Sequence, residues 1–232
     1  MKYELTGDAG SQLARIFLGQ GETVKIENGS MVYMQDVTLE GKFNSGKKGL
    51  GGLIGAIGKS LTSGESMFIT NATGTAPDGV VAIAPAVPGK ITLLEVGARQ
   101  YRLNDGAFFA CDDSISYNME RQKVSQAFLG GSGGLFVMET AGQGDLLVSS
   151  FGDLIELECT ADRPLVIDNE HVVAWDAGLS YSIEVASGTF GFTTGEGLVN
   201  KFTGNGKILI QTRNIHALAD AVRPFLPSGS GD

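Results

Sequence analysis

The sequence has few of the residues on which disulfides, metal centres and nucleophilic catalysis most often depend. Its 232 residues include only two cysteines, Cys111 and Cys159, and two histidines, His171 and His216. The cysteines form no CxxC pair, so no disulfide framework is indicated and a reducing compartment is the simpler interpretation. The histidines occupy non-equivalent positions of the repeats described below, which favours surface or capping roles over a shared catalytic or metal site.

Long hydrophobic segments and positive charge are also scarce. No apolar run approaches the roughly 20 residues that cross a bilayer, and residues 1–18 contain Glu4 and Asp8 but not the apolar core of a secretory signal. Acidic residues outnumber basic ones by 26 to 17, a formal net charge of −9. Nucleic-acid phosphates require a concentrated basic surface. We therefore expect a cytoplasmic protein with no nucleic-acid partner.

Glycine, in contrast, is abundant. The 34 glycines follow no Gly-X-Y period, which excludes collagen and indicates many tight turns. Hydrophobic residues make up 42% of the chain and charged residues 19%, a composition that argues against wholesale disorder.

One pattern of short, apolar-rich segments occurs three times in a single register. Residues 24–29, 101–106 and 165–170 resemble one another, and the same register aligns residues 13–18, 90–95 and 154–159. Turn residues that tolerate positive φ, such as Asn28-Gly29 and Asp105-Gly106, follow the strand-like segments. The pattern predicts an all-β fold of three tandem antiparallel β-sandwich or barrel-like repeats in a pseudo-threefold arrangement.

The repeats, called units 1, 2 and 3 below, are expected at about residues 11–88, 89–151 and 152–215 of a single compact domain over residues 1–218. Unit 1 has extra residues between Val37 and Met67. Ile215, Leu218 and Val222 recur at helical spacing, which predicts a short C-terminal helix at residues 216–227, followed by a disordered tail at residues 228–232.

The repeated units, the stretch Gly-Glu-Thr-Val-Lys-Ile-Glu-Asn-Gly-Ser-Met at residues 21–31 and the Gly-rich segment before Glu65 together resemble a known family. It is the uncharacterised bacterial family related to the fungal mitochondrial biogenesis factor. The resemblance implies a fold similar to the tryptophan RNA-binding attenuation protein, tripled within one chain as a pseudo-trimer. It brings no established enzymatic activity and no catalytic residues to carry over to this sequence, while the mitochondrial relatives suggest a role near membranes.

The Gly-rich insert at residues 47–61 has an apolar stripe at helical spacing, flanked by lysines that are unusual in so acidic a chain. One hypothesis is contact with an anionic membrane surface or a protein partner. The alternative is that the stripe packs over an open end of the β core or between subunits. The residues concerned are Lys47, Lys48, Leu50, Leu53, Ile54, Ile57, Lys59 and Leu61.

Two further sets of repeat-related residues offer candidate sites. Asp36, Asp112 and Asp176 lie at or next to equivalent positions, so carboxylates gathered near a threefold axis are candidate ligands for a hard cation. The alternative, which we favour, is that each ends a strand and binds its own turn; no metal is therefore expected. Met34, Cys111 and Trp175 share another equivalent position and are expected in the core, so a catalytic role for Cys111 is not indicated.

These observations favour a non-enzymatic, homo-oligomeric scaffold or interaction module without a cofactor, cytoplasmic or peripheral to the membrane. The alternative is a small-ligand-binding protein that uses clefts between the β repeats. RNA binding by analogy of fold is opposed by the net charge.

Overall fold

Nineteen β-strands and one α-helix make up most of the described part of the chain. The computed structural model describes residues 1–8, 10–42, 69–122, 136–186 and 197–226. Within these ranges the strands pair with one another in antiparallel fashion. The predicted all-β class is confirmed.

Each unit contributes six strands. Unit 1 follows an additional strand, β1 (Lys2–Thr6), and comprises β2 (Leu13–Leu18), β3 (Thr23–Glu27), β4 (Met31–Gln35), β5 (Val37–Lys42), β6 (Ile69–Gly74) and β7 (Gly79–Ile83). Unit 2 comprises β8 (Ile91–Val96), β9 (Tyr101–Asn104), β10 (Phe108–Asp112), β11 (Ile115–Arg121), β12 (Phe136–Gly142) and β13 (Gly144–Ser149). Unit 3 comprises β14 (Leu154–Cys159), β15 (Leu165–Asp168), β16 (Val172–Asp176), β17 (Ser180–Val185), β18 (Leu198–Thr203) and β19 (Gly206–Gln211).

The two largest sheets are each shared between successive units. One six-stranded sheet has the order β5-β6-β3-β10-β13-β8, so three strands of unit 1 continue into three strands of unit 2. The next has the order β11-β12-β9-β16-β19-β14 and joins units 2 and 3 in the same way. The two remaining sheets, β1-β2-β7-β4 and β15-β18-β17, each belong to one end of this series.

The two junctions between units have the same register. At the first, β3 pairs with β10 so that Lys25 lies opposite Cys111. At the second, β9 pairs with β16 so that Arg102 lies opposite Trp175. Because these are equivalent positions, the repeats of the sequence correspond to repeated strand pairing. The pseudo-threefold arrangement of the units stays a prediction.

The hydrophobic core follows the shared sheets and crosses unit boundaries. Three clusters of buried side chains are present in the described residues. The cluster centred on unit 1 includes Phe109 and Leu147 of unit 2, and the cluster centred on unit 2 includes Val173 and Leu209 of unit 3. Apolar side chains of one unit are therefore removed from water by packing into the core of the neighbouring unit.

Trp175 is central to the third cluster. It is 1% exposed, and its ring packs edge-on against Tyr181 and Phe202 at centroid distances of 5.0 and 5.4 Å. Such edge-to-face pairs add to the free energy gained by burying apolar area.

The connection between β5 and β6 accounts for the greater length of unit 1. It runs from Lys42 to Ile69, whereas the equivalent connections run from Arg121 to Phe136 and from Val185 to Leu198. Residues 47–61, with every membrane or partner contact predicted there, lie in this connection and outside the described residues.

The predicted C-terminal helix is present but shorter than expected. Helix α1 spans Ile215–Val222, and the side chain of Asn214 caps it by accepting the N–H of Ala217. A turn of 3-10 helix at Arg223–Phe225 follows, because Pro224 has no N–H with which to continue the α-helix. The tail predicted at residues 228–232 lies outside the described residues.

Candidate functional site

The outer edge of β4 exposes a continuous run of apolar side chains. β4 lies at the end of its sheet and pairs on one side only, with β7. Its apolar side chains are exposed: Met31 by 40%, Val32 by 54%, Tyr33 by 45% and Met34 by 44%. Four consecutive exposed apolar or aromatic residues on an edge strand form a surface suited to strand addition.

The equivalent strands of the other units are buried. In β10 and β16 the residues equivalent to Met31–Met34 are at most 3% exposed, because each of these strands lies between two neighbours in a shared sheet. The prediction that Met34 lies in the core, like Cys111 and Trp175, is therefore wrong for this chain. The sequence position is equivalent, but among the described strands β7 alone pairs with β4, so its outer edge is not covered.

Charge also distinguishes β4 from the other outer strands of the described sheets. The sequence of β4, Met-Val-Tyr-Met-Gln, contains no charged residue. Charged side chains on outer strands normally oppose pairing between sheet edges. Each of the other outer strands has at least one: Lys2 in β1, Glu40 in β5, Glu95 in β8, Glu120 in β11, Glu156 in β14, Asp168 in β15 and Glu184 in β17.

A second unpaired edge belongs to β15, at the other end of the series of units. β15 pairs with β18 only, and Val166 on it is 62% exposed. Its counterparts β3 and β9 each pair on both sides. In the described chain, β4 of unit 1 and β15 of unit 3 thus each lack the partner that their equivalents have at a junction between units.

A basic side chain crosses each of the two junctions between units and donates to backbone carbonyl oxygens of the following unit. Lys25 donates to the carbonyl oxygens of Asp113 and Ile115, at 2.6 and 2.8 Å. Arg102 donates to the carbonyl oxygen of Leu179 at 3.2 Å. Ile115 and Leu179 are equivalent, so each cation crosses to the same turn of the following unit. In unit 3 the residue equivalent to Lys25 and Arg102 is Val166, whose side chain is uncharged.

Of the three aspartates considered for a cation, Asp112 and Asp176 end strands of two different sheets, and each accepts a hydrogen bond from a neighbouring strand. Oδ2 of Asp112 accepts the N–H of Asp145 at 2.7 Å, and Oδ2 of Asp176 accepts the N–H of Lys207 at 2.8 Å. These amides belong to the paired strands, β13 and β19, and not to the aspartates' own turns. Asp36, in the left-handed conformation with φ of 53°, is exposed in the turn between β4 and β5.

The other carboxylate oxygen of Asp112 and of Asp176 is close to a cationic group. Oδ1 of Asp112 lies 2.8 Å from the amino nitrogen of Met1, and Oδ1 of Asp176 lies 3.3 Å from Nε of Arg99. Within the described ranges, no three His, Cys, Asp or Glu side chains are grouped so that they could hold a metal ion. These two aspartates act as ties between strands.

The histidines attach the C-terminal helix to unit 3. Nδ1 of His171 lies 2.7 Å from the carbonyl oxygen of Gln211, and its Nε2 lies 3.2 Å from the Asn214 amide nitrogen. Nδ1 of His216 lies 2.5 Å from a carboxylate oxygen of Glu170. Although they are distant in sequence, both histidines therefore contribute to the contact between the first turn of α1 and the segment after β15.

Cys111 is not suited to nucleophilic chemistry. It is buried, and burial raises the pKa of its thiol to about 12. The reactive thiolate is therefore disfavoured at neutral pH.

The junction between units 1 and 2 contains a carboxyl group that titrates near neutrality. Glu27, half-buried at the end of β3, has a pKa raised to about 7, first by burial and then by the nearby carboxylate of Asp105. A folded-state pKa above the unfolded value means that the folded chain retains a proton that the unfolded chain releases. The stabilisation is present at low pH and is lost as the pH rises toward 7.

We expect Glu27→Gln to remove much of this pH dependence. Between pH 5 and pH 8 the wild-type free energy of unfolding is expected to fall by about 1–2 kcal/mol more than that of the variant, after allowance for solvent screening. Urea unfolding at both pH values measures the difference. Glu40→Gln, at an exposed position of β5, is the control and is expected to follow the wild type. Parallel pH profiles for wild type and Glu27→Gln would contradict the assignment.

The fold and site define an all-β protein whose two largest sheets are shared between successive units and in which, within the described residues, β4 and β15 each pair on one side only. The sequence matches the model of the family described as mitochondrial biogenesis AIM24 over residues 3–213, so the chain belongs to the AIM24 family. The predicted family is thus confirmed. The implied likeness to the tryptophan RNA-binding attenuation protein stays a prediction.

Two relatives come from Streptococcus pyogenes. An uncharacterized protein of serotype M6 is 46% identical over 232 residues, covering 99% of this chain and 93% of that protein. A crystal structure of an S. pyogenes protein, 45% identical, has a TM-score of 0.81 and covers 97% of this chain and 99% of its own. In the ranges described for the present chain, no helix has the length and apolar character needed to cross a membrane.

Proposed function

We propose that the protein is a non-enzymatic scaffold that self-associates through the outer edge of β4. The observation that carries the proposal is the contrast in exposure between β4 and its counterparts. Met34 is 44% exposed, whereas Cys111 and Trp175 at the equivalent position are each 1% exposed. Covering a Met-, Val- and Tyr-rich strand removes apolar surface from water and pairs free backbone groups at the same time.

The chemistry of the candidate catalytic residues supports a structural role. Cys111 is buried with a raised thiol pKa, and both histidines contact groups that attach the C-terminal helix. Asp112 and Asp176 link neighbouring strands. The two carboxylates and the two imidazoles thus each contact a group of the fold, and the thiol is buried in the core.

Contact of the scaffold with an anionic membrane surface or another protein, through residues 47–61, is the finer part of the proposal. It is supported by the sequence: an apolar stripe beside Lys47, Lys48 and Lys59 in a chain of net charge −9. Self-association through β4 does not depend on this contact.

The test of self-association is the mass of a Met34→Lys variant in solution. We expect light scattering after size-exclusion chromatography to give a multiple of the 24.3 kDa chain mass for wild type. The variant is expected to give the single-chain mass, because an ammonium group on the edge must be desolvated when the edge is covered.

Ile155→Lys is the matched control. Ile155 lies on another outer strand, β14, and is also 44% exposed, so the substitution is similar in chemistry and accessibility. This variant is expected to keep the wild-type mass. A single-chain mass for wild type, or an unchanged mass for Met34→Lys, would overturn the proposal.

A further inference from the structure

We propose that the partner of β4 is β15 of a second copy of this chain, paired so that Met34 lies opposite Val166. The inference depends on the proposed self-association and specifies its partner, direction and register. It makes the contact between copies a third instance of the junction that already joins units 1 to 2 and 2 to 3.

The register follows from the two internal junctions. In the first, Lys25 of β3 lies opposite Cys111 of β10; in the second, Arg102 of β9 lies opposite Trp175 of β16. The strand equivalent to β3 and β9 in unit 3 is β15, and the strand equivalent to β10 and β16 in unit 1 is β4. These are the two strands that lack this partner within the described chain.

The side chains at the proposed contact match each other. Met34 is 44% exposed and Val166 is 62% exposed, and directly opposed residues of an antiparallel pair project from the same face. The same register places Tyr33 opposite Ile167 and Gln35 opposite Leu165. At the position of Val166 the internal junctions have Lys25 and Arg102. The proposed junction between copies instead pairs two apolar residues, Met34 and Val166, so its formation buries no charge.

The attachment of α1 extends the apolar surface at one end of β15. The contacts of Glu170 with His216 and of His171 with Asn214 hold the first turn of the helix beside the end of this strand. In the proposed register, Met31 and Val32 of the docked copy approach this end. Ile215 and Leu218 of α1, exposed by 51% and 42%, add to the surface available there.

The contact is head-to-tail because its two halves come from opposite ends of the series of units. An open series of copies therefore leaves one β4 edge uncovered at one end and one β15 edge uncovered at the other, and pairing of these two edges closes the series into a ring. A symmetric contact of β4 with β4 would use the same residue twice and is a different interface.

Disulfide trapping between single-cysteine additions tests the pairing. Opposed residues of antiparallel strands have Cα atoms about 4.5–5.5 Å apart, within the range that a disulfide spans. Met34→Cys and Val166→Cys are introduced into separate full-length chains, mixed and oxidised, and the products are separated without reductant. The native cysteines are buried and do not compete. We expect a covalent two-chain species in the mixture and its loss when either variant is oxidised alone.

The outcomes separate the inference from the proposed function. Cross-linking of Met34→Cys with itself would indicate a β4–β4 contact and overturn the inference while leaving self-association intact. In a single chain that carries both Met34→Cys and Val166→Cys, an internal cross-link without covalent multimers would show that β4 and β15 of one chain meet, and would also overturn the inference. Mixing Met34→Cys with Ile155→Cys is the control and is expected to give no two-chain species.

Charge complementation gives a second, independent readout. Met34→Lys and Val166→Glu are each expected to reduce the assembly to single chains. When the two variants are mixed, the introduced ammonium group of one chain lies opposite the introduced carboxylate of the other, and the native Met34–Val166 pair can form at the next junction. Opposite charges at directly opposed positions stabilise the pairing, so assemblies of more than one chain are expected to return. No recovery of mass on mixing two folded variants would overturn the head-to-tail pairing.

Discussion

Replacing Trp175 with alanine is expected to lower the free energy of unfolding by about 4 kcal/mol, within the range for removing a buried tryptophan. The side chain is 1% exposed and packs against Tyr181 and Phe202. The substitution therefore loses buried apolar area and leaves a cavity in the third core cluster. Because Trp175 is the only tryptophan, unfolding in urea is best followed by pulse proteolysis, which requires no intrinsic probe.

Met34→Ala is the matched control for Trp175→Ala, since the two residues occupy equivalent positions in units 1 and 3. In dilute solution, where chains are separate, Met34 is exposed and its truncation is expected to change the free energy of unfolding by less than about 0.5 kcal/mol. Equal losses for the two variants would contradict the difference in burial between β4 and β16, and with it the basis for the proposed interface.

Replacing Gly89 with alanine is expected to destabilise the chain by about 3 kcal/mol, at the upper end of what overpacking usually costs. A Cβ at this position would lie 1.6 Å from the carbonyl oxygen of Ser150 and 3.1 Å from the nitrogen of Gly152. These are backbone atoms, so no side-chain rotation relieves the overlap. Gly89 and Gly152 form an isolated bridge between the segments that precede β8 and β14, and the substitution must push these segments apart.

Gly178→Ala is the control for Gly89→Ala, because a Cβ at Gly178 meets no atom within 4 Å. It is expected to leave stability unchanged or slightly raised, through the lower entropy of the unfolded chain. Thermal unfolding followed by circular dichroism compares the two variants with wild type. A melting temperature of Gly89→Ala within error of the control would show that the two segments separate at little cost.

Much of the fold follows from the sequence because the repeats share local chemistry. The segments aligned at residues 13–18, 90–95 and 154–159 correspond to β2, β8 and β14, with β8 displaced by one residue. The turn glycines Gly29 and Gly106 adopt φ of 80° and 76°, as expected where the chain reverses direction after a strand. Local pattern and turn chemistry are sufficient to place these elements.

The candidate site could not be read from the same pattern. Met34, Cys111 and Trp175 align, yet burial depends on whether a strand of another unit lies alongside, and among the described strands this is so for β10 and β16 but not for β4. Two signals were nevertheless present in the sequence. β4 contains no charged residue, and Val166 replaces the cation found at Lys25 and Arg102. Their meaning emerges only when strand pairing shows which edges are left open.

Sharing sheets between units has a consequence for how the chain responds to cleavage. A cut in the segment between β7 and β8 would sever the backbone, yet β3 would still be hydrogen-bonded to β10, and Phe109 and Leu147 would still fill the core of the amino-terminal fragment. The two fragments would remain associated as a nicked complex, since the six-stranded sheet that joins units 1 and 2 draws strands from both. Integrity of this molecule therefore resides in its lateral strand contacts more than in the continuity of its polypeptide.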